Sequence, residues 1–287
     1  MIKLYLYYSN STQRGPGMVV KNLLSGLLQL EDIVLVDKPN QAELFGCLQS
    51  PVDYLINWLP EKTLMGPNLF VIPEENRFIC NKFKSFIVPS QWVKDLYVRS
   101  PLMNGKAIDV WSVGIDTKKW RRESNDGFAI KQDCFIYFKN REQSELMEVK
   151  KTLDKLKFSY RTIEYGSYDE QELYDLCQTS RFAILLTGTE SQGIAYMNIL
   201  STNMPCIVLN KSHWQYNANQ FINHPATSVP YFNEKCGLIL NSIQQLESSL
   251  GGFNPCDYAP RDYILANHTQ KISAEKYVNL LRQGNQR

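Results

Sequence analysis

Short apolar runs alternate along the chain with segments whose apolar residues recur at helical spacing. In the first half of the chain this spacing predicts helices over 18–28, 41–48 and 90–97, after a Gly-Pro-Gly turn at 15–17. The predicted strands there are Ile2–Tyr8, Ile33–Val36, Tyr54–Trp58, Leu69–Ile72, Ser85–Val88 and Ile108–Val113. Short strands that alternate with helices indicate a parallel sheet covered on both faces.

The alternation stops at the polar stretch Asp116–Phe128 and then starts again. The second series of predicted strands is Cys134–Phe138, Ser159–Tyr165, Phe182–Leu186 and Cys206–Leu209, with helices over 145–156, 170–178 and 193–202. We therefore predict an α/β protein of two Rossmann-like domains facing across a cleft, with domains over 1–118 and 119–287. An amphipathic helical segment at about 260–283 ends the chain.

Composition excludes several classes of protein. The 31 Lys and Arg residues nearly balance the 29 Asp and Glu residues, which argues against a nucleic-acid-binding protein. The seven cysteines are dispersed without a Cys-x-x-Cys pair, so we expect free buried thiols and no zinc cage. No apolar run is long enough for a transmembrane segment, and the first residues do not form a secretory signal, so we expect a cytoplasmic protein.

The basic cluster Lys118–Arg122 is typical of a solvated linker, and peripheral contact with anionic lipid is the alternative.

The most informative stretch runs from Thr187 to Leu209, where an apolar strand ends in a small polar turn and a helix begins near Gly193. The amino end of a helix offers free N–H groups that suit a phosphate, and a glycine there lets the backbone approach closely. Glu190 comes just before that end, where a carboxylate can bind the hydroxyl groups of the molecule that carries the phosphate. This pattern indicates a nucleotide-sugar site, and the alternative is that Glu190 only caps the helix.

This stretch resembles the donor-site signature of GT-B glycosyltransferases of the retaining, family-four-like kind, also called glycosyltransferase group 1. That signature is a Glu, a following segment with a Gly, a second Glu, and a Pro that opens the next strand. Other pieces occur in the same order: Gly15-Pro-Gly17 resembles the glycine-rich first loop, Val88–Trp92 the segment before the domain crossover, Val113–Trp120 the start of the linker, and Tyr165-Gly166 the base-binding turn. The resemblance covers residues 2 to about 282.

The resemblance implies a glycosyltransferase that moves a sugar from a UDP- or GDP-sugar to a hydroxyl of a glycan, lipid or protein-linked acceptor, with retention of configuration. It also implies that the segment at about 260–283 packs back on the first domain, which would be the acceptor side. The catalytic residues would be Glu190, Lys139 and Arg141, with the two cations on the diphosphate. The donor-binding residues would be Gly15, Gly17, Tyr165, Gly166, Gln192, Gly193, Ile194, Ala195 and Asn198.

The sequence departs from the family pattern at several positions. The second Glu is Asn198, and Lys139 and Arg141 follow their strand in a shortened, shifted pattern. All three histidines (213, 224 and 268) lie in the second half, so the amino-terminal His of many relatives is missing. There is also no Asp-x-Asp motif, so we expect no metal and no cofactor beyond the sugar nucleotide. These departures leave open an alternative, a catalytically weak sugar-nucleotide-binding subunit that supports a partner enzyme.

Overall fold

The structure is a computed structural model that describes residues 1–8, 15–49, 60–123, 129–217 and 221–284. The chain divides into two compact units. Unit 1 consists of Met1–Gly114 and His268–Arg287, and unit 2 consists of Ile115–Asn267. The chain passes from unit 1 to unit 2 after Gly114, a few residues before the predicted boundary at 118. It returns to unit 1 after Asn267, inside the predicted helical segment 260–283.

Unit 1 is built on a parallel sheet. Its strands are β1 (Ile2–Tyr7), β2 (Ile33–Leu35), β3 (Leu44–Gln49), β4 (Thr63–Asn68), β5 (Ser85–Val88) and β6 (Ala107–Val110), and the helices between them are α1 (Gly15–Leu27), α2 (Arg77–Lys82) and α3 (Gln91–Tyr97). In the described part of the unit the strand order is β2-β1-β3-β4-β5-β6. Strands β3, β4 and β5 are almost entirely buried, as expected for the middle of a sheet covered by helices.

Three predictions for unit 1 need correction. The segment Gln41–Leu48 is not a helix, because its apolar run forms the buried strand β3; periodicity alone does not separate a short buried strand from a helix. The segment Leu69–Ile72 is not a strand, because the strand precedes it as β4, whose Gly and Pro residues are unusual inside a sheet. The predicted turn at 15–17 is the first turn of α1. The predicted strand Tyr54–Trp58 lies outside the described residues.

Unit 2 contains a second parallel sheet. Its strands are β7 (Gln132–Lys139), β8 (Tyr160–Glu164), β9 (Ser180–Thr187), β10 (Cys206–Leu209) and β13 (Gly237–Leu240), and β11 (His213–Asn217) and β12 (Phe221–Pro225) form a separate antiparallel hairpin. The helices are α4 (Gln143–Lys155), α5 (Glu170–Thr179), α6 (Ile194–Ser201), α7 (Gln245–Gly252) and α8 (Pro260–Asn267). Among the described residues the sheet order is β13-β10-β9-β7-β8. The four predicted strands of this half are confirmed, whereas the hairpin had no counterpart in the sequence prediction.

Both faces of the unit 2 sheet are buried in hydrophobic core. Side chains alternate along a strand, so Phe135 and Tyr137 of β7 pack in one cluster and Ile136 packs in the other. The first cluster includes side chains of α5, α6 and α8, and the second includes side chains of α4 and α7. This arrangement explains why the strands of this half are continuous apolar runs, and it confirms the expectation of a sheet covered on both faces.

After α8 the chain returns to unit 1 and forms the helix α9 (Gln270–Gly284), which packs against α1. Two hydrogen bonds hold α9 to the segment after β6: the Trp111 indole donates to the Ser273 carbonyl at 2.9 Å, and the Ser273 hydroxyl donates to the Ser112 carbonyl at 2.7 Å. The predicted terminal segment is therefore divided between the two units. In the described parts of the chain, every helix is too short or too polar to cross a membrane.

Candidate functional site

The carboxyl ends of β7, β8 and β9 lie side by side at one edge of the unit 2 sheet. Phe138 of β7 pairs with Glu164 of β8, and Lys139 of β7 pairs with Thr187 of β9. Because the strands are parallel, the loops that follow them leave the sheet at the same edge, where open α/β sheets bind ligands. This register gathers three predicted site regions, at 139, 165 and 190, in one place.

Lys139 and Glu190 form an ion pair at this edge. The Lys139 Nζ atom lies 2.7 Å from Glu190 Oε1, and the two side chains are only 18% and 12% exposed. The same Nζ atom lies 4.4 Å from the centre of the Tyr165 ring, within the range of a cation–π interaction. The structure therefore brings together three residues that the sequence had placed in the site separately.

The charge state of Glu190 depends on this lysine. Burial raises the pKa of the Glu190 carboxyl, and the nearby charge of Lys139 and its hydrogen bond oppose that rise. The charge of Lys139 and its hydrogen bond therefore stabilise the charged form of this buried carboxylate. Any ligand that draws Lys139 away must therefore offer Glu190 hydrogen-bond donors in exchange.

Two tyrosines lie near the carboxylate, the buried Tyr137 and the partly buried Tyr168. The Tyr168 hydroxyl donates a hydrogen bond to the Tyr137 hydroxyl at 3.2 Å, and their rings meet edge to face. Burial raises the pKa of both phenols, and the charge of Glu190 adds to the rise, so both stay neutral near pH 7. These two tyrosines were not identified as site residues from the sequence, because Tyr137 lies in an apolar strand and its pattern is typical of a core residue.

The Glu190 loop is fixed by a segment from much later in the chain. The Glu190 amide donates to the Thr227 carbonyl at 2.9 Å, and the Ser228 hydroxyl donates to the Thr187 carbonyl at 3.0 Å. The Asn210 side chain in turn accepts hydrogen bonds from the Thr227 hydroxyl and the Ser228 amide. No sequence pattern indicated these contacts, because they join three separate loops.

The helix α6 begins directly after Gly193, as the sequence predicted. Gly193 adopts a left-handed backbone with φ 74° and ψ 39°, and a Cβ atom there would collide with the Tyr196 ring. Gln192 is nearly buried before this turn, and the half-buried Ile194 and Ala195 form the first turn of α6. The amides of a first helical turn have no acceptor within their own helix.

The remaining predicted donor-binding residues lie in different surroundings. Asn198 lies inside α6 and is only 5% exposed, and its predicted contact with the donor stays a prediction. Gly166 adopts a positive φ of 91° in the turn after β8, next to the half-exposed Tyr165. Gly15 and Gly17 belong to the first turn of α1 in unit 1, directly after residues 9–14, which are outside the described part.

Arg141 is engaged within the protein. Its guanidinium binds both oxygens of Glu145 and donates to the carbonyls of Leu209 at 2.7 Å and Thr187 at 3.1 Å. These contacts use four of the five N–H donors of an arginine, and they join the ends of β9 and β10 to α4. Arg141, which was predicted to bind the diphosphate, therefore connects strand ends in this structure.

No protein-family model and no curated protein matches the sequence. The structure is nevertheless similar to solved glycosyltransferase structures. AviGT4, a glycosyltransferase involved in avilamycin A biosynthesis, matches with a TM-score of 0.58 at 12% identity over 100% of this chain and 98% of that chain. A glycosyltransferase from Rickettsia africae matches with a TM-score of 0.57 at 12% identity over 97% of this chain and 84% of that chain.

A third match extends the same fold to a different enzyme. Sucrose-phosphate synthase from Thermosynechococcus elongatus matches with a TM-score of 0.56 at 10% identity, over 99% of each chain. At such identities a likeness of structure establishes the fold. The chain thus has the GT-B fold of two Rossmann-like domains, and the predicted fold class is confirmed.

Proposed function

We propose that this chain is a glycosyltransferase that moves a sugar from a nucleoside diphosphate sugar to a hydroxyl of a glycan, lipid or protein-linked acceptor. The observation that carries the proposal is the Lys139–Glu190 ion pair, which lies at the carboxyl edge of the unit 2 sheet. A cation, a carboxylate and a helix amino terminus a few residues later match the charges and hydroxyl groups of such a donor.

Each group has a role in the proposed reaction. As the bond from the sugar to the diphosphate breaks, the leaving oxygen gains negative charge, and Lys139 stabilises it together with the first amides of α6. When Lys139 turns to the diphosphate, Glu190 exchanges its cation for hydrogen bonds from the sugar hydroxyls. The half-exposed ring of Tyr165 offers the base a flat surface for stacking.

Retention of configuration and independence from metal ions belong to the same proposal. Retention follows from the family resemblance, with the leaving phosphate accepting the proton of the incoming hydroxyl. Metal independence is proposed because the sequence contains no Asp-x-Asp motif and Lys139 already supplies a positive charge at the site. We therefore expect sugar nucleotides to bind equally well with and without EDTA.

Calorimetric titration of variants with UDP and GDP, and with sugars of each, tests the proposed roles. Glu190→Ala should weaken binding of the sugar nucleotide about ten- to a hundredfold, since charged hydrogen bonds to the sugar are lost. It should leave binding of the free diphosphate unchanged or tighter, because Lys139 is released from its partner. Asn198→Ala should weaken binding of both ligands equally, and by less than Glu190→Ala does, because the hydrogen bond proposed for the Asn198 amide carries no charge.

The matched control is Glu247→Ala, which removes another glutamate that lies 2.7 Å from a lysine, Lys155, in an exposed ion pair of the same unit. This variant should bind all ligands as the unchanged protein does. Equal losses for sugar nucleotide and free diphosphate in Glu190→Ala would show that Glu190 does not contact the sugar. Failure of the unchanged protein to bind any nucleotide would refute the proposed function.

A further inference from the structure

Unit 2 contains a second concave site that the proposed reaction does not use. This cavity of about 600 Å³ lies at the carboxyl ends of β10 and β13, and its lining includes none of Lys139, Tyr165 and Glu190. Its walls are the first turns of α4, the segments that follow the two strands, and the β11–β12 hairpin. Its volume is within the range of about 300 to 1,000 Å³ that small-molecule sites occupy.

The hairpin presents a polar face to this cavity. Gln215 of β11 lies directly opposite Asn223 of β12, and both line the cavity together with His213. The alternate residues of β11, Trp214 and Tyr216, are stacked on each other with their ring centres 5.4 Å apart. Since side chains alternate across a strand, the hairpin has an aromatic face and a separate polar face that covers the cavity.

The charges that line the cavity balance one another. Arg141 is paired with Glu145, which leaves Lys211 and Glu148 as one further cation and one further anion. A phosphate-bearing ligand would favour an excess of positive charge, and a metal ion would favour a group of anionic ligands. Across the described residues, no group of three or more His, Cys, Asp or Glu side chains is arranged to hold a metal ion. The cavity therefore suits an uncharged ligand.

Carboxamide groups dominate the rest of the lining. They belong to Asn210, Gln215, Asn223, Asn241 and Gln244, whereas Ile243 is the aliphatic side chain of the lining. Each carboxamide both donates and accepts hydrogen bonds, and so does each hydroxyl group of a sugar. The amide of Asn210 is held in orientation, because its oxygen accepts two hydrogen bonds of 2.9 Å from Thr227 and Ser228.

We propose that this cavity binds a neutral glycan through the amide side chains of the hairpin and of the loops after β10 and β13. The glycan site is separate from the proposed donor site, and it stands on its own contacts whether or not the chain transfers sugars. Gln215 and Asn223 contact the glycan directly, because they form the central pair of the face that covers the cavity.

Calorimetric titration with maltotetraose, mannotetraose and chitotetraose tests this site, with tetragalacturonate as the acidic counterpart. The unchanged protein should bind at least one neutral tetrasaccharide and prefer it to tetragalacturonate. The double variant Gln215→Ala/Asn223→Ala should weaken that binding tenfold or more, through the loss of two sets of hydrogen bonds. Its thermal unfolding should be unchanged, since both residues are exposed.

A matched control removes two exposed glutamines elsewhere, Gln91→Ala/Gln171→Ala, each of which binds an aspartate four residues later. This control should bind the glycan as the unchanged protein does. The proposal is overturned if no neutral tetrasaccharide binds, if the hairpin variant binds as tightly as the control, or if tetragalacturonate binds best. The hairpin variant should keep its full affinity for nucleotides, and a parallel loss of nucleotide binding would contradict a separate site. Glycan binding without any nucleotide binding would refute the proposed function and leave this inference standing.

Discussion

Replacing Lys139 by Met tests how strongly the site depends on its ion pair. The pair is 2.7 Å apart and its side chains are 18% and 12% exposed, so both charges have lost most of their water. Removing one partner of a buried pair costs about 3–5 kcal/mol, and the residual exposure here reduces the expected loss to about 2–3 kcal/mol at pH 7. In the exposed control pair, where the side chains are 65% and 47% exposed, Lys155→Met should cost less than about 1 kcal/mol.

The loss should depend on pH in a defined direction. Without Lys139, burial alone acts on Glu190, and its pKa in the folded protein rises further above that of the unfolded chain. A carboxyl group with a raised pKa favours folding while it is protonated, and this contribution disappears as the pH rises through the folded pKa. The cost of Lys139→Met should therefore be large at pH 7 and smaller near pH 4, where the carboxyl binds a proton.

Thermal unfolding at both pH values measures this difference against the unchanged protein. For domains of about 150–250 residues, a loss of 2–3 kcal/mol corresponds to about 4 to 12 °C. The double variant Lys139→Met/Glu190→Gln should recover most of the loss at pH 7, because no uncompensated charge remains. An equal loss at both pH values, or no recovery in the double variant, would refute this explanation of the site.

Three further predictions concern other parts of the molecule. Gly193→Ala should destabilise the protein by about 1–3 kcal/mol in urea unfolding, because the backbone there is left-handed and the added Cβ would collide with the Tyr196 ring. Gly15→Ala should leave the stability unchanged, because the space around Gly15 is open. Arg141→Lys should reduce stability by about 2 kcal/mol and leave nucleotide affinity nearly unchanged, as calorimetry would show. Burial lowers the pKa of His268 to about 4, so the free energy of unfolding should fall by about 3 kcal/mol as the pH drops from 6.5 to 4. Urea unfolding across this pH range measures the fall, and it should be smaller in His268→Gln.

The sequence was most informative about the fold where strands are buried on both faces. The runs Cys134–Phe138 and Phe182–Leu186 lie within β7 and β9, because burial from both sides leaves no polar interruption. It was least informative at 41–48 and in β4. A short apolar run fits a helix as well as a strand, and the glycine and proline of β4 are residues that sheets seldom contain.

For the candidate site, the sequence indicated the residue types but not their partners. Lys139 and Glu190 were each identified from their position after a strand, yet their contact depends on the β7–β9 register, which local pattern does not reveal. Arg141 was predicted to bind a diphosphate, whereas the structure pairs its guanidinium with Glu145 in the first turn of the helix that follows. The polar face of the hairpin had no local signal, because it requires the pairing of Gln215 with Asn223.

Sugar transfer itself is the decisive assay for the proposed function. The protein is incubated with UDP- and GDP-sugars in the presence of EDTA, with water and the neutral tetrasaccharides as acceptors, and products are followed by NMR. We predict release of the nucleoside diphosphate from at least one donor, a product with the anomeric configuration of that donor, and a rate about 10²- to 10³-fold lower in Lys139→Met. Binding of a sugar nucleotide without release of the diphosphate, or release only when Mg²⁺ or Mn²⁺ is added, would contradict the account.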